Sequence, residues 1–445
     1  MPPTVECLSV NAPPPKDVDP EDPSPVVGTS RPYLLRVLGP GLITGASDDD
    51  PSGIATYSQI GAQYGYALSW TMLFSYPLMV AIQIISGRIG RTTGHGIAGV
   101  LQRYYPSWLL TFIVLTLLVA NIINLGADLG AMADALTLLA PAPRYLYVVL
   151  MAATCISMQL FLVYTRYVAV LKWLTLALLT YFGVFAIVPI DWSDLLRHLV
   201  WPGWHWNHDS FLAIVAIFGT TISPYLFFWQ ASEEVEDLHA HPTRKNLLNA
   251  PTQGKRAFHR INIDTFVGMG FSNLVALAII VTTASTLHVH GLKNIETSAQ
   301  AAEALRPFAG RFAEIVFTMG IIGTGLLAVP VLTGSAAYAV GEMRRWPMGL
   351  DRRPKEAQAF YAVLVISTLI GMIMNFTPIN PIRALYWSAV INGITAVPVM
   401  VVMMLLSARA DIMGNFAIKG VLRFFGWLAT AVMAVVVCAT LISAF

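Results

Sequence analysis

Three consecutive acids, Asp48, Asp49 and Asp50, stand before Pro51 in an otherwise uncharged stretch, Gly39 to Thr56. A second proline, Pro224, follows Gly219, Thr220, Thr221 and Ser223 in another uncharged stretch. Thr220 and Ser223 are three apart and share one helical face. The chemistry on offer is cation binding by oxygen: carboxylates, hydroxyls and any backbone carbonyls that the prolines free. No Cys, Met or His falls within either break, and the residue after Pro224 is Tyr225. Hard oxygen sites suit Mg²⁺, Ca²⁺ or Mn²⁺ rather than softer metals. Two carboxylates balance one divalent charge. Mg²⁺ dehydrates reluctantly, and the small Ser52, Gly53, Thr220 and Ser223 leave room for retained waters.

The elements that must hold these residues are membrane spans. Of 445 residues, 56% are hydrophobic and 12% charged, against about 25% charged in soluble domains. A membrane helix needs roughly 20 apolar residues. Stretches of that kind include Tyr104–Ala127, Ser210–Ser232, Thr265–Leu287 and Ala384–Ser407; with a first span at about 38–58, eleven are expected. Placing the N-terminus inside puts 21 of the 27 Lys and Arg residues on the cytoplasmic side and six outside, as the positive-inside rule requires. Residues 191–210, with Trp192, Trp201, Trp204 and Trp206, read as an external loop with interfacial anchors. Residues 1–30 hold eight prolines in their first 25 positions, and Asp17, Asp19, Glu21 and Asp22 among their acids; they read as a disordered cytoplasmic tail. Residues 31–445 then form one transmembrane transporter domain.

Acids in mid-membrane are expensive unless they face a cavity or bind something. Pro51 and Pro224 should each interrupt a helix, and irregular backbone at that depth is tolerated only inside protein or along a wet path. The prolines are 173 residues apart, in spans 1 and 6. Five spans per unit makes two halves inverted in the membrane, with a midplane site between them, as in secondary transporters. The fold class expected is an all-α polytopic membrane protein.

At these residues the chain resembles the NRAMP family of divalent-metal transporters, over roughly 38–443. Where that family carries Asp-Pro-Gly-Asn and then Ile-Ala-Thr, this chain has Asp50-Pro51-Ser52-Gly53 and Ile54-Ala55-Thr56. Where it carries Gly-Ala-Thr-Val-Met-Pro-His, this chain has Gly219-Thr220-Thr221-Ile222-Ser223-Pro224-Tyr225. The resemblance implies a LeuT-like inverted repeat, spans 1–5 and 6–10, with helices 1 and 6 broken. Gly53 stands where the family has an Asn ligand, Ser223 where it has a Met thioether, and Tyr225 where it has a His. Asp128-Leu129-Gly130-Ala131 lacks the Glu of the family's proton-path motif. This set is similar to the NRAMP-related magnesium transporters, which are understood as proton-uncoupled. The resemblance thus implies metal contacts at Asp49, Asp50, Gly53, Thr220 and Ser223, with Mg²⁺ or Mn²⁺ as transported substrate and no cofactor.

Other polar residues admit two readings each. Asp128 lines the aqueous path or pairs with a buried polar group. Asn273 and Asn392 approach the site or bond between helices. Glu233, Glu234, Glu236 and Asp237 attract cations or form a solvated helix end. His288 and His290 read as surface residues. Cys7, Cys155 and Cys438 make no disulfide framework, and the last two read as buried small residues. No phosphate loop, nucleophile elbow or HExxH motif supports an enzyme, and a net charge of +2 argues against a nucleic-acid partner. The expected function is Mg²⁺ uptake by alternating access without proton coupling, by a monomer in a bacterial-type inner (plasma) membrane. Rival readings are a proton-coupled Mn²⁺ transporter, an amino-acid or amine carrier, and a membrane sensor or receptor.

Overall fold

The computed structural model describes residue 45 and residues 47–161, 179–184, 187–203, 207–240, 243–350 and 352–443. The segment 1–30, Trp204, Trp206 and part of the expected fifth span (173–178, 185 and 186) lie outside them. The helices used below are α1 Pro51–Tyr64, α2 Trp70–Thr93, α3 Ile97–Tyr104, α4 Ser107–Leu139, α5 Arg144–Phe161, α6 His208–Thr221, α7 Pro224–Ala240, α8 Gly254–Thr283, α9 Ala313–Arg344, α10 Gln358–Met374, α11 Pro381–Ala408 and α12 Gly420–Ser443. Among the described residues there is no strand.

Eight helical stretches are long and apolar enough to cross a bilayer, one of them α6 and α7 together, and α10 is a shorter apolar helix of 17 residues. The other two expected spans, 1 and 5, fall partly outside the described residues, so the count of eleven is not established.

Helices in lipid gain little from the hydrophobic effect and associate through close packing of small residues. α6 lies on α11 and α7 on α2. A Cβ at Gly219 would fall 1.9 Å from Ala389 O, and one at Gly90 would fall 2.2 Å from Ala231 O. Gly219 therefore sets backbone contact between α6 and α11, and Gly90 between α2 and α7.

Pro77, Pro330 and Pro398 sit inside α2, α9 and α11 without ending them. Pro51 and Pro224 are different: each opens a helix. The stretch expected to be an external loop contains a helix, Trp192–Val200, capped by Asp191, which accepts from Ser193 N at 3.1 Å and Asp194 N at 3.0 Å. The Ser193 hydroxyl also bonds this carboxyl, at 2.6 Å, and holds it below the usual carboxylate range. In this helix only Leu195 is buried; Trp192 and the following Trp201 are exposed, as interfacial anchors are. Cys155 is buried as expected, but Cys438 is exposed, because it falls on the outer side of the last helix.

Candidate functional site

Both breaks use the same local chemistry. The chain leaves helical geometry at Asp49 and Asp50. Asp50, extended at φ −68° and ψ 170°, caps α1: its Oδ1 accepts from Gly53 N at 2.7 Å. Pro51 then takes the first helical position, where a missing N–H costs nothing. At the second break α6 ends at Thr221 and α7 begins at Pro224. Pro224 cannot donate to Thr220 O four residues back. The Ser223 hydroxyl lies 2.8 Å from Thr220 O and 2.8 Å from Gly219 O and serves these carbonyls instead.

Helix ends carry partial charges. The C-terminal carbonyls of α6 favour a cation, while the N-termini of α1 and α7 oppose one. Carboxylates beside those N-termini offset the opposition.

The two breaks touch at Gly53, where a Cβ would lie 3.1 Å from Thr220 Oγ1 and 3.3 Å from Asp48 O. Gly53 thus brings space rather than a side-chain donor. Asp50 Oδ2 accepts from Asn124 Nδ2 of α4 at 2.9 Å and from the Tyr225 hydroxyl of α7 at 3.3 Å. The Ser272 hydroxyl of α8 lies 2.6 Å from Asp48 Oδ2 and 3.2 Å from Asp49 Oδ1. One hydroxyl proton therefore faces two carboxylates. Asp49 and Asp50 sit side by side in the chain yet face different helices. Ser52 ties α1 to α11, donating to Leu385 O at 3.0 Å with Ser388 Oγ also at 3.0 Å.

Asp128 belongs to the same cluster. Asn124 Nδ2 is 3.4 Å from Asp128 Oδ2, and Asn392 Nδ2 is 3.4 Å from Asn124 Oδ1. Asp48, Asp49, Asp50 and Asp128 are all at most 2% exposed. Among the described residues, the ion pairs of Arg244, Arg260, Arg306, Arg383 and Arg409 go to other carboxylates. Four buried carboxyl groups without a basic partner require cations or protons to offset them. No three His, Cys, Asp or Glu side chains among the described residues form a ready-made metal cage. The cluster suits an ion that keeps part of its water shell.

The structure brings Asp49, Asp50, Gly53, Thr220 and Ser223 to one place. Sequence reasoning missed Asn124 and Ser272, whose signal was a polar residue inside an apolar span. Asn392 does approach the cluster, through Asn124. Asn273 does not: its amide donates to Met72 O at 3.0 Å and joins α8 to α2. His288 and His290 each face a backbone carbonyl, Ala62 O at 2.8 Å and Thr286 O at 2.5 Å.

The acids that close span 6 are not a solvated helix end. Glu233, Glu234 and Asp237 are buried. Glu234 pairs with Arg260 at 2.5 Å, and Asp237 pairs with Arg244. Glu236 accepts from the Tyr338 hydroxyl and from Leu350 N. These bonds seal one end of the bundle. At the other end a cavity of about 380 Å³ is lined by Gln59, Gln63, Asp209, Glu296 and Arg383 and reaches Ala55, about one turn from Pro51. The cavity stops short of the cluster: none of the four acids, Gly53, Thr220 or Ser223 lines it.

A family profile described as natural resistance-associated macrophage protein-like (Nramp) matches residues 41–443. A divalent metal cation transporter MntH of Burkholderia ambifaria is 27% identical over 415 residues, covering 90% of this chain and 87% of the relative. Its counterpart from Deinococcus radiodurans is 26% identical over 440 residues, covering 95% and 94%. Among solved structures, the Eremococcus coleocola manganese transporter superposes with a TM-score of 0.73 at 16% identity, covering 96% of this chain and 90% of that one. MhsT in complex with L-phenylalanine superposes at 0.56 and 14% identity, covering 91% and 98%. These two likenesses speak to the fold, a LeuT-like all-helical one.

Proposed function

The chain belongs to the Nramp family, and from that premise we propose that it carries partly hydrated Mg²⁺ across the membrane without moving protons. The coarser statement needs no proposal: it is an integral membrane transporter of divalent metal ions and not an enzyme. The observation that carries the finer one is the buried cluster of Asp48, Asp49, Asp50 and Asp128. It has no basic partner among the described residues and no sulfur or imidazole at the breaks. Thioether and imidazole select softer metals; carboxylate, hydroxyl and carbonyl suit Mg²⁺.

In this reading Asp49 and Asp50 supply charge to the ion. Thr220, through its carbonyl, and Ser223, through its hydroxyl oxygen, complete the shell with waters. Gly53 keeps the space for them. The ion enters from the cavity above Ala55, in a plasma membrane with the N-terminus cytoplasmic. Opening of the sealed end around Glu234, Asp237, Arg244 and Arg260 releases it. A single chain carries all of these parts. The membrane potential, about 2.3 kcal/mol per charge per 100 mV, drives uptake.

The second reading is proton-coupled Mn²⁺ transport. It is favoured by one structural neighbour, the manganese transporter of Eremococcus coleocola. Side-by-side Mg²⁺ and Mn²⁺ uptake into liposomes, with a pH indicator trapped in the lumen, separates the two. Mg²⁺ entry at constant luminal pH supports the first, and Mn²⁺ entry with acidification and no Mg²⁺ flux supports the second.

A further inference from the structure

A separate apolar groove of about 290 Å³ lies between α2, α8 and α12, walled by Pro77, Val80, Ile84, Phe266, Val421 and Phe425. Its outer wall belongs to the exposed apolar surface: Val421 is 72% exposed and Phe266 48%. In a membrane protein that surface faces acyl chains.

The groove has two polar residues, Arg88 and Asn262. Arg88 follows Ile84 by one turn of α2, and Asn262 precedes Phe266 by one turn of the antiparallel α8, so both stand at the same end. The guanidinium stacks over Phe258 at 4.3 Å. Its Nη2 reaches Asn262 Oδ1 only at 3.4 Å. Its Nε is buried and meets no acceptor among the described residues. No acidic residue lines the groove. Arg244, Arg260 and Arg409, by contrast, all hold carboxylates. Around the same end, Lys255 and His259 share the α8 face of Asn262 and Phe266, and Lys419 stands two residues before Val421; Lys255 and Lys419 are exposed. On the expected topology this is the cytoplasmic end, to which 21 of the 27 Lys and Arg residues are assigned.

A half-buried guanidinium with no carboxylate partner among the described residues, at the polar end of an apolar groove that faces lipid, is matched by one kind of occupant. We propose that the groove holds an acyl chain of an anionic glycerophospholipid, with its phosphate on Arg88 and its head group between Lys255 and Lys419. Basic pockets between transmembrane helices recognise such head groups, and Arg suits phosphate through paired N–H donors. The volume, near the lower end for ligand pockets, fits a chain with the head group outside.

The test is native mass spectrometry of the full chain, delipidated in detergent and mixed with phosphatidylglycerol or with phosphatidylcholine of the same chains. Wild type should retain at least about five-fold more phosphatidylglycerol, the factor that one added cationic contact gives. Arg88→Gln should abolish the preference. Lys255→Gln with Lys419→Gln alters only exposed positions and should reduce it, which keeps the test valid if Arg88→Gln does not fold. Val421→Trp, filling the groove from its exposed wall, should lower retention of both lipids, and Arg306→Gln should change nothing. Equal retention of the two lipids by wild type would overturn the proposal. So would phosphatidylglycerol retention indifferent to the lysine pair and to Val421→Trp. Capture of inorganic phosphate alone, with no lipid retained, would overturn it as well.

Discussion

Asn124 Nδ2 donates to Asp50 Oδ2 at 2.9 Å and lies 3.4 Å from Asp128 Oδ2. One amide thus joins the break in the first span to the third. The bond sets where one oxygen of Asp50 points, while Gly53 N sets the other.

Asn124→Ala removes a hydrogen bond to a carboxylate, an interaction of about 1.5–3 kcal/mol. Mg²⁺ uptake at matched protein level should fall by roughly ten-fold or more. Uptake equal to wild type would show that Asp50 needs no positioning from α4.

Gly53 and Thr220 are the contact between the breaks. A Cβ at Gly53 would lie 3.1 Å from Thr220 Oγ1, so Gly53→Ala should crowd the site and lower uptake several-fold. If Thr220 contributes its carbonyl, Thr220→Ala removes only the crowded hydroxyl and methyl. The double variant should then recover much of the lost uptake. A double variant worse than either single one would assign the hydroxyl itself to the ion.

Ser223 and Tyr225 occupy the positions where the resembled family has sulfur and imidazole. Ser223→Met with Tyr225→His brings both into the second break. Competition uptake should shift toward Mn²⁺ and Cd²⁺ and away from Mg²⁺. An unchanged preference would mean that selectivity lies elsewhere. The change also removes the Tyr225 bond to Asp50, so Tyr225→Phe serves as the control.

Proline alone did not mark the breaks. Pro77, Pro330 and Pro398 stay inside continuous helices. They follow Tyr76, Val329 and Val397, which offer no short side-chain oxygen. Pro51 and Pro224 follow Asp50 and Ser223, whose oxygens serve the freed backbone groups. That pairing, and the acids beside it, made the site legible. Ser272 and Asn124 were not legible, because a polar residue in an apolar span looks the same whether it meets the site or another helix. Asn273, one residue from Ser272, meets another helix. The acids at the end of span 6 looked solvated because their partners, Arg244 and Arg260, come from later in the chain.

Those pairs give a fourth expectation. Arg260→Gln leaves Glu234 buried without its 2.5 Å partner, and breaking a buried pair typically costs about 3–5 kcal/mol. The sealed end should open more readily. A cysteine placed at Ser232 should then react faster with a water-soluble maleimide than it does beside Arg260. An unchanged rate, with the protein folded, would mean that the pair does not hold this end shut.

The most direct measurement is Mg²⁺ uptake into liposomes at an inside-negative potential, comparing wild type with Asp50→Asn. Asn keeps the capping oxygen of Asp50 and removes its charge, so the helix start survives. Wild type should take up Mg²⁺ in proportion to the potential at constant luminal pH, and Asp50→Asn should lose at least about ten-fold. Equal Mg²⁺ uptake by the two proteins, or Mn²⁺ entry with luminal acidification and no Mg²⁺ flux, would contradict a Mg²⁺ site at Asp50.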